Sequence, residues 1–347
     1  MLIAFIGDTH FGARNSNSIV EYWQRKFYEE VFWPYIEKNG IKTIIQTGDW
    51  FDNRKWLNIQ SIAFQKEVFV KPSQKLGVNV HVIVGNHDIP LRHSLTNNSV
   101  RQILEHEKNF SVYDKIETVE FEDRKITFMP WVCKENEEES FSVIKEGGDI
   151  VVGHFEIQGA LMHPGSFSLE GIQYANFSKW KNVISGHFHA QSENENVHYI
   201  GTPYQMSWND STTKHGFWIF DTTSGSKTFI ENNFRYFNRF VWNNSDIDSF
   251  DMTNLKSSYV KINVVKKNDF EAFEKFIDKV NFHSPFEVKI TESFEDWNAE
   301  NVDDLISVQS TQELIAEYVD DVAANNAEEI KNLMLQIYNE ALVIEEE

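Results

Sequence analysis

The sequence predicts an α/β fold: a parallel β-sheet with helices on its faces, then a smaller α/β unit and an acidic helical tail. Three observations carry this prediction. Short runs rich in β-branched residues alternate with long amphipathic stretches up to about residue 230. The pattern restarts as strand, helix and strand within residues 234–295. Finally, Gly-Asp, Gly-Asn-His and Gly-His groups follow the apolar runs, at the carboxyl ends of the expected strands, where open α/β sheets bind ligands.

Residues 2–6 form the first expected strand, 18–39 an amphipathic helix, 42–46 a strand, 58–76 a second helix and 78–84 a third strand. Strands linked by such long helices are parallel neighbours, because a parallel connection needs a crossover. Further strands are expected at 150–152, 183–184, 197–200 and 216–220, and a turn at Asp221-Thr222-Thr223-Ser224-Gly225-Ser226 leads into one more. The charged cluster 135–139 reads as a solvated loop. The small unit follows, with strands at 260–265 and 286–291 around a helix at 270–280. In the tail, Leu314, Tyr318, Leu333 and Ile337 recur at helical spacing, which suits either capping of the chain's own domain or docking on a partner.

The chain has 347 residues, enough for a large core and more than one domain; 41% are apolar and 14% aromatic, as in folded globular proteins. No run approaches the ~18 apolar residues of a membrane span. The start lacks a basic segment and runs straight into a polar motif, so it reads as a strand rather than a signal peptide, and a cytoplasmic location is expected. Cys133 is the sole cysteine, which excludes an internal disulfide and agrees with a reducing compartment; its apolar surroundings point to a buried, inert thiol. A formal charge of −21 argues against gripping nucleic acid over the whole surface. Nucleic acid remains open as a substrate, since bound cations or a partner's basic channel can supply positive charge.

Five strand ends deliver oxygen or imidazole donors: Gly7-Asp8-Thr9-His10, Gly48-Asp49-Trp50-Phe51-Asp52, Gly85-Asn86-His87-Asp88, Gly153-His154 and Gly186-His187-Phe188-His189. A glycine before each donor lets backbone approach closely and turn sharply. In Val183-Ile184-Ser185-Gly186-His187-Phe188-His189 two imidazoles stand at i and i+2, positions that share a face of extended chain. Asp, Asn and His without Cys suit Mn²⁺, Fe or Zn, or Mg²⁺ with more water. These groups are too many for one ion, and two ions sharing a carboxylate would use them.

These five motifs resemble the signatures of calcineurin-like metallophosphoesterases. Within that superfamily the chain is most similar to the SbcD-type nuclease subunit of double-strand-break repair complexes, in particular to the small subunits of tailed-phage recombination endonucleases. The Gly-Asn-His-Asp form of the third motif and Ile200-Gly201-Thr202-Pro203-Tyr204 support this narrower likeness. The resemblance implies a two-sheet sandwich flanked by helices at 1–231, a small α/β capping, DNA-binding domain at 232–297 and a helical segment at 298–347 that binds a partner. It further implies that Asp8, His10, Asp49 and His189 hold one divalent ion and Asp49, Asn86, His154 and His187 another, with Mn²⁺ favoured over Mg²⁺. His87 would lie by the scissile phosphate without ligating. Asp52 stands where relatives place histidine, and is expected either to orient a ligand as part of the catalytic apparatus or to stabilise its turn. Asp88 would orient His87 or cap the next segment.

Arg14, Arg54, Lys55 and Arg92 follow the motif loops, as phosphate contacts or as solvated charges. Tyr204 and Trp208 are read as packing residues in preference to base-stacking platforms. The implied function is dimetal-dependent exonuclease and endonuclease action on DNA with an SbcC-type, SMC-like ABC ATPase that docks on Leu333 and Ile337. A homodimer is implied as well, and the host cytoplasm if a phage encodes the chain. Hydrolysis of small phosphodiesters or phosphoproteins is the alternative.

Overall fold

A computed structural model describes residues 1–122 and 124–292. The expected partner-binding helices, with Leu333 and Ile337, lie outside the described residues. β1 (Leu2–Ile6), β2 (Thr43–Gln46), β3 (Asn79–Ile83) and β4 (Phe110–Tyr113) run parallel. The chain then builds a second sheet from β5 (Glu117–Phe121), β6 (Arg124–Met129) and β7 (Gly148–Gly153). A short hairpin follows, β8 (Leu161–His163) and β9 (Ser166–Phe167), before β10 (Trp180–Ser185), β11 (Ser192–Asn194) and β12 (Val197–Tyr199) complete that sheet. β13 (His215–Asp221) and β14 (Lys227–Asn232) return to the first sheet as antiparallel strands beside β1. The orders are β14-β13-β1-β2-β3-β4 and β11-β12-β10-β7-β6-β5.

Thus the parallel sheet read from the apolar runs is one of two, stacked as the resemblance implied. The two-residue period of a strand explains the layering. Ile3, Phe5, Ile45 and Ile83 point across to Ile126, Phe128, Ile150, Val152 and Ile184 of the second sheet. Their neighbours Ala4, Ile6, Ile44, Val80 and Val82 point the other way, against the crossover helices. On the far side of the second sheet, Val151 and Val183 pack on Ile144 of the helix Glu137–Glu146. That helix corrects the loop expected at 135–139. Glu137, Glu138 and Glu139 occupy its first turn, where the helix dipole favours carboxylates.

Both long crossovers contain a proline, and each accommodates it with a wider turn. Ser18–Phe27 passes through a π-turn, Tyr28–Phe32, into Trp33–Lys38 with Pro34 near its start; Lys66–Val70 plays the same part before Lys71–Leu76 and Pro72. A mid-helix proline has no N–H for the i−4 carbonyl and clashes with it, so the chain opens by one residue. The carbonyl that Pro72 leaves free, that of Val68, accepts the indole N–H of Trp33 at 2.7 Å and ties the two helices together.

His81 sits between the sheets, stacked on Phe128 and Tyr113, with Nδ1 2.7 Å from the Tyr113 hydroxyl. Burial pulls its pKa down from 6.5 to about 4. Its folded value lies below its unfolded value, so the unfolded chain binds the extra proton as pH falls from 6.5 towards 4, and stability is lost over that window. His81→Phe is therefore expected to flatten the fall in urea midpoint between pH 7 and 5, by the equivalent of about 1 to 2 kcal/mol of unfolding free energy. An unchanged pH dependence of the midpoint would contradict this.

β15 (Phe237–Asn243), β16 (Tyr259–Lys266) and β17 (Glu287–Glu292) form a parallel three-stranded sheet. β15 is a strand that the sequence reading missed. The helix Phe270–Phe282 covers one face, with Phe273, Phe276 and Val280 against Trp242, Ile262 and Val264. Gln205 anchors the unit, since its Oε1 accepts the N–H groups of Tyr236 and Phe237 at 2.8 Å each. No helix among the described residues is long and apolar enough to cross a membrane.

Candidate metal centre

β1, β2 and β3 of one sheet and β7 and β10 of the other bring their carboxyl ends to one place, and there Asp8, His10, Asp49, Asn86, His154, His187 and His189 meet. Ligand-type atoms of Asp8, His10 and His189 lie within 4.8 Å of one another, as do those of Asp49, His154 and His187 and those of His10, Asp52 and His87. The Asn86 amide oxygen is 2.9 Å from His154 Nε2 and 3.2 Å from His187 Nδ1. One Asp49 oxygen accepts the backbone N–H of His87 at 2.8 Å. The other is 3.2 Å from His154 Nε2 and 3.8 Å from His10 Nε2, which puts Asp49 between the first two groups.

Steric fit explains the glycines. A Cβ on Gly85 would stand 2.2 Å from the Asp49 carboxylate, although the φ of −92° suits any residue. At Gly48 the φ is +103°, and a Cβ would meet the His154 ring at 2.4 Å. His10, Asp49 and His187 take left-handed φ values of 42°, 55° and 89°, a conformation that non-glycine residues avoid and that gathers at functional sites.

The electrostatics follow from burial of opposite charges. Burial alone would strip the proton from His10, but Asp52, Asp49 and Asp8 outweigh it and hold the pKa at about 9. His154 is likewise held at about 9 by Asp49 and Asp8. Burial pushes Asp8 up to about 6 against the pull of His154. For Asp49, burial is outweighed by His154, His87 and His10, so its carboxylate stays ionised. Burial and the neighbouring imidazoles take His187 down to about 3 and His189 to about 4, leaving both free to donate lone pairs.

The donor set fits divalent cations. It consists of hard oxygens and imidazoles with no thiolate. Both ring nitrogens of His10 are buried without a hydrogen bond, and buried polar atoms are seldom left so. His154 Nδ1 is fixed by the Thr47 carbonyl at 2.8 Å, so Nε2 faces the cluster, the usual support of a ligating histidine.

Asp52 turns its carboxylate to His10 Nδ1 at 3.4 Å, while its backbone carbonyl lies 2.6 Å from His87 Nδ1. Asp88 departs from both readings of its role. Its buried carboxylate accepts the N–H groups of Gly85, Trp50 and Phe51 at 2.9, 3.3 and 3.1 Å and braces the second motif against the third. Trp131, which the sequence did not single out, packs 5.1 Å from the His187 ring and 5.9 Å from His154.

Among the basic residues, Arg54 is half-buried, and burial together with Arg92 lowers its pKa; Asp49 pulls the other way, so Arg54 is within electrostatic reach of the cluster and Arg92 within reach of Arg54. Lys55 is exposed. Arg14 lies over the rings of Phe237 and Tyr259 at 4.9 and 5.6 Å, which joins the first motif loop to the small sheet. Tyr204 is buried and Trp208 packs 5.0 Å from Phe237, so both are packing residues. Cys133 is buried and makes no disulfide.

A further set escaped the sequence reading altogether. Arg239, Lys261 and Lys289 stand opposite one another on β15, β16 and β17, on the face that the helix leaves bare. None makes an ion pair with a carboxylate among the described residues. Arg239 reaches the Trp208 carbonyl at 2.9 Å, and residues 207, 209 and 210 of that loop line a cleft with His187 and His189.

Residues 1–191 match the family profile described as calcineurin-like phosphoesterase. Exonuclease subunit 1 of Enterobacteria phage T4 is 35% identical over 346 residues, which covers 98% of this chain and 99% of that protein. A solved structure of a protein of unknown function from Aquifex aeolicus aligns with 56% of this chain and 82% of its own at 15% identity, with a TM-score of 0.26, too distant a likeness to carry an argument.

Proposed function

Given that the chain belongs to the calcineurin-like phosphoesterases, and so is a metal-dependent phosphodiesterase, we propose that it is the nuclease subunit of a DNA recombination and repair complex. Asp8, His10, Asp49 and His189 hold one divalent ion and Asp49, Asn86, His154 and His187 the other, with Mn²⁺ preferred over Mg²⁺ for this imidazole-rich set. The ions supply the Lewis acidity and nucleophile activation that phosphodiester hydrolysis needs. Asp49 spans the two sites. His87, with Nδ1 donating to the Asp52 carbonyl, offers Nε2 to the phosphate or the leaving oxygen. Asp52 holds His10 in register. Arg54 and Arg92 attract the phosphate.

The observation that carries the DNA reading is the Arg239, Lys261 and Lys289 row. Like charges directly opposed on neighbouring strands destabilise a sheet. In a chain of net charge −21 such a row has a reason if it follows a phosphate backbone away from the metal cleft. The capping unit at 232–297 is thus a DNA-binding element. That the phage T4 relative is one subunit of an exonuclease supports a partner, which we identify as an SMC-like ABC ATPase docking on the segment with Leu333 and Ile337; a second copy of the chain completes the assembly, in the host cytoplasm.

The Lys261→Glu/Lys289→Glu protein should need at least about tenfold more linear DNA for half-maximal degradation in Mn²⁺ and show a salt slope reduced by about two. Its hydrolysis of bis(p-nitrophenyl) phosphate should stay within about twofold of wild type. Wild-type protein that hydrolyses the small diester but leaves linear DNA intact, alone and with its ATPase, would instead favour the small-diester activity. Unchanged DNA affinity and salt slope would remove the row from the DNA path.

A further inference from the structure

The loops that present His10 and Asp52 continue, one residue later, into the walls of a second cavity. Hydrogen bonds from His10 N to Asp49 O, from Phe11 N to Trp50 O and from Asp52 N to Phe11 O, at 3.0, 2.8 and 3.1 Å, stitch the loops together. Cavity and metal cluster therefore keep one spacing. The cavity measures about 250 Å³, and Asn15, Ser16, Asn53, Trp56, Asn58 and Ser61 contribute its polar and aromatic lining.

That lining carries no charge, so it suits a neutral, flat, polar-edged group better than a phosphate. The Asn53 side-chain oxygen accepts the N–H groups of Lys55 and Trp56, and that of Asn58 accepts Gln60 N–H. Both NH₂ groups are left without a hydrogen bond among the described residues. The Ser16 hydroxyl is buried and has no partner either. Trp56 leaves 79% of its surface exposed, a large apolar ring held in solvent at the rim. Asn15 and Ser16 of the lining, with Arg14 just before them, take three successive left-handed conformations, with φ of 53°, 59° and 58° for residues 14, 15 and 16, which L-residues adopt only when something holds them there.

We propose that this cavity is a nucleobase pocket, in which the base of a nucleotide flanking the scissile phosphate stacks on Trp56 while Asn15, Asn53, Asn58 and Ser16 meet its edge. Aromatic stacking accepts any base, and amide and hydroxyl groups add preference. The volume lies below the ~300–1,000 Å³ of drug-sized sites and admits a single nucleoside. This inference rests on the nuclease reading and extends it from phosphate to base.

The test uses full-length protein in Mn²⁺ on matched oligonucleotides whose nucleotide on either side of the cleavage point carries a base or is abasic, with bis(p-nitrophenyl) phosphate as a base-free control. Wild type should cleave the base-bearing substrate with a kcat/KM at least about tenfold above the abasic one. Trp56→Ala should bring the base-bearing rate down to the abasic rate, with abasic and control rates unchanged. Asn15→Gly, which keeps the left-handed backbone, should alter the ranking of the four bases. A Trp56→Ala protein that keeps its preference for the base overturns the pocket, as does an equal loss on all three substrates. A halved mass in light scattering with preference intact would make Trp56 a contact between copies. A wild type that cleaves DNA without regard to the base defeats the pocket alone, whereas one that hydrolyses only the control defeats the nuclease reading and the pocket with it.

Discussion

Asp49→Ala is expected to leave the protein with neither ion bound stoichiometrically and to lower phosphodiester hydrolysis by at least about a thousandfold. The expectation follows from where its two oxygens stand. One receives the His87 backbone N–H at 2.8 Å, and the other lies 3.2 Å from His154 and 3.8 Å from His10, histidines proposed to serve different ions. Asp8 also approaches both histidines, but its oxygen stands 3.9 Å from His154 Nδ1, the nitrogen held by the Thr47 carbonyl, whereas Asp49 faces Nε2. Losing Asp49 also removes one of the charges that counter the burial of His10 and His154, leaving Asp52 and Asp8 for the first and Asp8 for the second. Elemental analysis after Mn²⁺ loading and desalting, together with diester hydrolysis, checks this. Two ions per chain in the variant would mean that Asp49 does not bridge.

His87→Ala is expected to separate binding from turnover. Both ions should remain, and hydrolysis should fall by about 10²- to 10⁴-fold, the usual contribution of a positioned acid or base. The His87 ring stands edge-on to His10 at 5.0 Å, with Nδ1 held by the Asp52 carbonyl at 2.6 Å. Burial lowers its pKa below 6.5, and Asp49 pulls the other way. The basic limb of the wild-type rate profile should therefore disappear in the variant. His10, Asp52 and His87 themselves form a ligand-like group. If His87→Ala loses an ion along with its activity, His87 is a ligand and its role as proton donor falls.

Both predictions concern residues legible from the chain alone, because each belongs to a motif that a glycine opens at the end of an apolar run. The strand positions in β1, β2, β3, β7 and β10 were legible for the same reason: β-branched residues and local turns impose them over a few neighbours. β4, β5, β6 and β15 were not: β4, β5 and β15 are edge strands of mixed exposure without a strong apolar period, and β6, inside its sheet, has a buried run of only four residues after a charged start. The charge run at Glu137–Glu139 misled for a related reason, as charges signal solvent equally in loops and in the first turn of a helix.

The amino-acid order by itself settled that oxygen and imidazole donors end five strands and that no thiolate joins them, because both are properties of neighbouring residues. Pairing across sheets settled the rest: Asp49 placed between two ligand groups, Asp88 turned into a brace, Arg239, Lys261 and Lys289 aligned into one row, and Trp56 set beside a cavity next to the cluster. These depend on strand register and on the stacking of one sheet over another, contacts between residues tens to hundreds of positions apart. No local pattern encodes such distances, since they arise only when the whole core packs.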